Sequence, residues 1–231
     1  MTIKGFDDFS AALLQAGFSL GGGNPENIFS LYAPNSEATY NFSDNEWHTG
    51  DPETDPWEWR MRVLNERDDI AYAKVFFRKS GFITRTWYPY FLAARRAGRI
   101  LEDDYWDGSL SHDARRIYDA VCEHGRLPLH EIKRKVQTGG EGTTGFEKAL
   151  VDLQMKMYIT MCGRQQKIAA DGSQYGWSST VFCPTEQFFG ADVFERAAAI
   201  RQQEAVDKIT EQVIRLNPAA STKKILKFIT G

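Results

Sequence analysis

Between Ser111 and Phe189 the apolar positions trace three short helices and then two strands. Ala114, Ile117, Tyr118 and Val121 share one helical face, bounded by the capping residue Ser111 and by Gly125. Leu129, Ile132 and Val136 mark a second, shorter face within Leu127–Val136, and Phe146, Leu150, Leu153 and Met157 a third. Two strand-like runs follow, Tyr158–Cys162 and Trp177–Cys183, with the polar tip Ala170–Gln174 between them. This order predicts a winged helix-turn-helix over 111–189, a module that grips nucleic-acid grooves and also serves as a protein adaptor.

The flanking chain reads less regularly. Phe6–Phe18 predicts an amphipathic helix, Gly21–Pro25 a turn, and Ile28–Tyr40 stays open between strand and loop. Ser43–Trp59 is loop-like, but Asp55 before Pro56 has the cap-then-first-turn pattern of a helix start. Ile70–Phe77 and Gly81–Thr84 predict strands around a Lys-Ser-Gly turn, with helix an option for the first. Trp87–Arg99 reads as a helix with a basic end, Ala97–Ser111 as a linker, and Ala191–Leu216 as one long helix stopped by Asn217-Pro218. Lys223–Ile229 adds an amphipathic turn or two. The predicted fold is α+β and mostly helical. An N-terminal aromatic and basic unit covers 1–100, the winged helix 111–189, and a helical extension packing on the rest 190–231.

Composition narrows the class. A chain of 231 residues with 42% hydrophobic and 26% charged content is ordinary for a soluble globular protein. No apolar run approaches the roughly 18–20 residues of a membrane span, and the N-terminus carries acids where a signal peptide needs bases. Three cysteines without paired spacing fit a reduced compartment, so a cytoplasmic protein is expected. The net charge of -3 excludes nucleic-acid binding by bulk charge, yet the charges are segregated. Glu37–Glu58 holds seven acids and no Lys or Arg, whereas Arg60–Arg99 holds ten bases against three acids. The second stretch is the better candidate for a polyanion surface.

Candidate chemistry concentrates in two places. Asn45–Arg60 combines Trp47, Trp57, Trp59 and His48 with the carboxylates Asp51, Glu53, Asp55 and Glu58. Rings can stack a base and carboxylates can assist its departure, which makes His48, Asp51, Glu53 and Asp55 the catalytic candidates. The plainer alternative is a Trp-rich loop over the core whose acids cap a helix. Phe82–Phe91 interleaves rings with Lys79, Arg85, Arg95 and Arg96, which suits stacking plus phosphate contact or an ordinary core with a solvated basic face. Within the winged helix, Lys148, Arg164 and Lys167 are phosphate candidates, and Thr144 and Gln154 candidates for base edges. Gly140–Gly145 matches G-x-G-x-x-G but follows a helix, Gly21-Gly-Gly lacks the rest of a phosphate loop, and Cys122, His124 and His130 lack a fourth ligand. Neither a metal nor a cofactor is expected.

Several segments resemble the bacterial AlkZ-related proteins: Trp47–Arg60, Gly81–Thr84 with Trp87–Phe91, Leu153–Gly163 and Tyr175–Thr180. The wider relatives are DNA glycosylases that unhook interstrand crosslinks and remove alkylated bases, built from tandem winged helices and needing no metal. The resemblance therefore implies a second, degenerate winged-helix-like unit in the N-terminal half. Those glycosylases position water with a Gln–apolar–Gln or Gln–apolar–Asp triplet. Here Gln154-Met-Lys156 and Gln166-Lys-Ile168 leave it incomplete. The expectation is a protein that binds duplex or damaged DNA, with a divergent glycosylase or a protein-interaction adaptor as alternatives and a protein partner or homodimer left open.

Overall fold

The computed structural model describes residues 1–33, 40–42, 46–136, 143–169 and 171–231, without the side chains of Asn41, Phe42, Thr143 and Thr144. The chain opens with β1 (Thr2–Ile3), α1 (Phe6–Ala16), β2 (Phe18–Leu20) and β3 (Asn41–Phe42). Then come α2 (Pro56–Glu66), β4 (Ile70–Phe76), β5 (Lys79–Thr84), α3 (Tyr88–Arg96) and α4 (Leu101–Trp106). The middle runs α5 (His112–His124), β6 (Leu127–Pro128), α6 (Leu129–Val136), α7 (Thr143–Met155), β7 (Ile159–Ile168) and β8 (Gln174–Pro184). It closes with α8 (Thr185–Phe189), α9 (Ala191–Ala198), α10 (Gln202–Leu216) and α11 (Thr222–Thr230). Among the described residues no helix is long and apolar enough to cross a membrane.

The main sheet has the order β2-β5-β4-β7-β8-β6, and every pairing in it is antiparallel. Its two halves repeat each other from opposite edges. In the first, helix α1 leads to edge strand β2, and α2 leads to the hairpin β4–β5, with β2 beside β5. In the second, α5 leads to edge strand β6, and α6 and α7 lead to the hairpin β7–β8, with β6 beside β8. The halves meet where Tyr72 of β4 pairs with Met161 of β7.

Two cores result. Phe9, Phe18, Trp59, Phe76, Phe82 and Phe91 fill the first, together with Ile209 and Val213 of α10 and Phe228 of α11. Phe228 lies stacked on Phe76 at 4.1 Å between ring centroids. Ala114, Ile117, Val121, Ile132, Leu150 and Leu153 fill the second. Caps follow the sequence: the Ser111 hydroxyl accepts from the Ala114 N–H at 3.2 Å, and Asp55 accepts from the Trp57 N–H at 2.8 Å.

The structure corrects several boundaries. The β4–β5 turn is Phe77-Arg78, both at positive φ (50° and 62°), and Lys79–Gly81 belong to β5. Gly81 sits there because a Cβ would meet the Phe76 ring at 2.3 Å, so its absence of side chain serves packing and not the turn. The 97–111 linker contains α4, whose first turn is held by Asp103 accepting from the Ile100 N–H at 3.0 Å. Met157 lies past α7 at φ 62° and is buried in the first core. The long C-terminal helix breaks after α9. No Gly or Pro marks that break, but Gln202 donates to the Ala94 carbonyl at 2.9 Å, anchoring the start of α10 on α3.

Candidate nucleic-acid interface

The β7–β8 hairpin leaves the core at Arg164. Below it, Ile159, Thr160, Cys162 and Gly163 of β7 and Val181–Pro184 of β8 are buried; above it Arg164, Gln165, Ile168 and Gln174–Trp177 are exposed. Register holds through Arg164 opposite Thr180 and Gln165 opposite Ser179, then resumes with Lys167 opposite Tyr175. Gly176–Ser178 thus face the single residue Gln166, which forms a bulge of the kind that re-aims a side chain. Gln166 Nε2 donates to the carbonyls of Tyr175 (3.2 Å) and Gly176 (3.0 Å), while its Oε1 accepts from Ser178 Oγ at 3.0 Å. One side chain fastens the bulge from both ends. Gly176 takes the left-handed backbone (φ 60°) that starts it, and Trp177 stands out 87% exposed.

Trp177 has company. Ile168 and Tyr175 are also exposed on this hairpin, and Arg164 and Lys167 stand on β7 without an ion pair among the described residues. At the tip Asp171 accepts from the Ser173 N–H and hydroxyl (2.9 and 2.6 Å), which closes the turn and holds its carboxyl below the usual range. An indole left in water on a braced arm, with cations on the partner strand, has the chemistry to stack on a ring and to meet an anion beside it. Sequence reasoning weighed Arg164, Gln166 and Lys167 but missed Trp177 and the part Gln166 plays in raising it. The strand-like run at 177–183 had hidden the bulge.

The other proposed contacts are placed differently. Arg85 pairs with Asp192 at 2.6 Å. Arg95 donates to the carbonyls of Ile229 (2.7 Å), Met155 (2.8 Å) and Phe228 (2.9 Å), closing the ends of α7 and α11. Arg96 pairs with Glu186 at 3.2 Å and covers the Tyr158 ring at 4.3 Å. Arg95 and Arg96 are structural cations, not free phosphate ligands. Gln154 is buried, accepting from the Lys74 N–H at 3.0 Å and donating to the Leu150 carbonyl at 2.8 Å, so it reaches no base edge. Lys148 is exposed but shares Asp152 with Arg78, at 3.0 and 2.7 Å. The Thr144 side chain and Gly140–Gly142 of the G-x-G-x-x-G match lie outside the described residues. Helix α7 is therefore clamped against β4, and the hairpin is the projecting element.

The Trp-rich loop is a helix start. Asp55 is buried and accepts from the N–H groups of His48 (3.1 Å), Gly50 (2.9 Å) and Trp57 (2.8 Å). Burial alone would raise its pKa, but those backbone donors outweigh it and hold the carboxylate below its usual range. Asp51 accepts from the Glu53 N–H and Thr54 hydroxyl at 3.0 and 2.7 Å, and Glu53 pairs with Arg62 at 2.8 Å. Trp59 is fully buried and donates to the Glu53 carbonyl at 2.9 Å. Trp47 and Trp57 are about two-fifths exposed, and His48 packs on Trp57 at 4.6 Å. Among the described residues these groups brace one another and the start of α2. Among the described residues no group of three or more His, Cys, Asp or Glu could hold a metal ion.

A family model described as AlkZ related matches residues 3–230. No curated protein and no solved structure matches the chain.

Proposed function

The chain belongs to the AlkZ-related family, and on that premise we propose that it binds duplex or damaged DNA in repair through a winged helix whose wing is the β7–β8 hairpin. The element order α5, β6, α6, α7, β7, β8 supports the winged-helix reading. The matching order of α1, β2, α2, β4 and β5 supports a degenerate second copy that lacks the middle helix among the described residues. The single observation that carries the function is Trp177, raised 87% exposed on a bulge that Gln166 holds in place. With Tyr175 and Ile168 exposed on the same hairpin, the indole belongs to an apolar group of the kind that supports a contact. Arg164 and Lys167 supply phosphate contacts on the same hairpin. No step is assigned to His48, Asp51, Glu53 or Asp55, whose oxygens and ring serve α2.

Binding by this wing has a salt signature. Fluorescence anisotropy with a labelled duplex, intact and alkylated, is expected to show affinity falling steeply with salt. The paired change Arg164→Glu and Lys167→Glu is expected to flatten that slope by about two counterions. An unchanged affinity and slope in the double variant removes these residues from the interface.

A further inference from the structure

A separate site lies in the first half of the sheet, between the Gly21–Gly23 loop, the start of β5 and α2. It is a cavity of about 270 Å³ lined by Gly22, Gly23, Glu26, Arg60, Lys79 and Ser80, among others. We propose that it binds a terminal phosphate group, with Arg60 as the principal ligand.

Arg60 is the unusual arginine of the basic block. Arg62, Arg67, Arg78, Arg85, Arg96 and Arg99 each hold a carboxylate, and Arg95 holds three carbonyls. Arg60 has neither among the described residues. Its guanidinium carbon lies 3.0 Å from the Trp57 ring centroid, a stack that uses the face of the group and leaves the donors at its edge. One of them, Nε, is buried without a partner. A buried charged donor with no acceptor is costly, and an anion held at the guanidinium edge would offset that cost.

The rest of the cavity suits the same ligand. Glu26 is neutralised by Lys79 at 3.3 Å and by Lys224, so the acid on the rim does not repel an anion. The N–H groups of Gly22 and Gly23 have no acceptor among the described residues, and a Cβ on either would meet nothing within 4 Å. The loop therefore leaves open space where an oxyanion can approach the backbone. A forked cation, an ammonium, a hydroxyl and spare backbone donors fit a tetrahedral group with several acceptors better than a planar carboxylate. The volume sits just under the usual range for small-molecule pockets, about 300–1,000 Å³, which favours a phosphate with little attached inside.

The test is independent of the wing. Calorimetry and thermal melting are run with inorganic phosphate, a nucleoside 5′-monophosphate, and one single-stranded oligonucleotide with and without its 5′-phosphate. Saturable phosphate binding is expected, with the phosphorylated oligonucleotide bound about tenfold or more tightly than the bare one. Arg60→Gln is expected to abolish that difference, and Arg60→Lys to restore part of it. Gly23→Asp is the second arm, since the open space there spares the fold while a carboxylate repels the ligand; the preference should fall there too. Trp177→Ala is expected to leave it unchanged. A 5′-phosphate preference of the oligonucleotide that Arg60→Gln removes assigns the site to a DNA end, and Arg60-dependent mononucleotide binding without that preference assigns it to a free nucleotide. Absence of saturable phosphate binding in the wild type, or an undiminished preference in folded Arg60→Gln or Gly23→Asp, overturns the proposal.

Discussion

The hairpins β4–β5 and β7–β8 occupy the same place in their halves of one sheet, yet they meet opposite surroundings. The first turns in two residues, Phe77-Arg78, and strand β4 is buried almost throughout. Phe76 is capped by Phe228 of α11, and Arg78 ties the turn to Asp152 of α7. The second runs on for several residues beyond its core and holds Trp177, Tyr175 and Ile168 in solvent. The difference lies in what the C-terminal helices cover. Helices α10 and α11 pack on the first unit, while the outer part of the β7–β8 hairpin of the second stays in solvent.

Substitutions in the scaffold should cost stability. Arg95→Ala strands three carbonyls at the ends of α7 and α11, and a loss of roughly 2–4 kcal/mol is expected in chemical denaturation. Gly81→Ala, whose Cβ meets the Phe76 ring, is expected to cost about 1–3 kcal/mol by the same measurement. Neither should change affinity for DNA when measured on the folded fraction. A binding defect without a stability defect in either would blur the contrast.

Asp55→Ala tests the loop reading and is expected to cost about 1–2 kcal/mol through loss of the α2 cap. The Asp55 carboxyl titrates lower in the folded chain than in the unfolded one. Its contribution is therefore complete above the unfolded pKa, about 3.9, and is lost as pH falls through the lower folded value. Acid unfolding of Asp55→Ala should accordingly lose this component. Glycosidic cleavage that Asp55→Asn abolishes without loss of stability would return this residue to catalysis. At the small end, Gln166→Ala should loosen the bulge and weaken DNA binding by several-fold, with a melting temperature near that of the wild type.

The contrast between the hairpins was only partly legible in the chain. Helix starts at Ser111 and Asp55-Pro56 are local chemistry, and they stand where that chemistry placed them. Arg95 and Arg164 look alike as basic residues. What separates them is that Arg95 meets the carbonyls of Met155, Phe228 and Ile229, residues 60 to 134 positions away. Trp59 and Trp177 likewise differ only in tertiary setting, one fully buried and one standing in water. The break between α9 and α10 carries no Gly or Pro because Gln202 and its contact on α3 decide it. The bulge that raises Trp177 depends on Gln166, ten residues from Gly176, and ordinary strand periodicity does not reveal it.

The most direct test of the wing is duplex affinity at one fixed ionic strength for the wild type and for Trp177→Ala, with melting curves on the same samples. An exposed ring that stacks on a base is worth about 1–3 kcal/mol, so affinity should fall by roughly 5- to 150-fold while the melting temperature stays put. Equal affinities with equal melting curves would contradict the account, because the most exposed indole of the wing would then touch nothing.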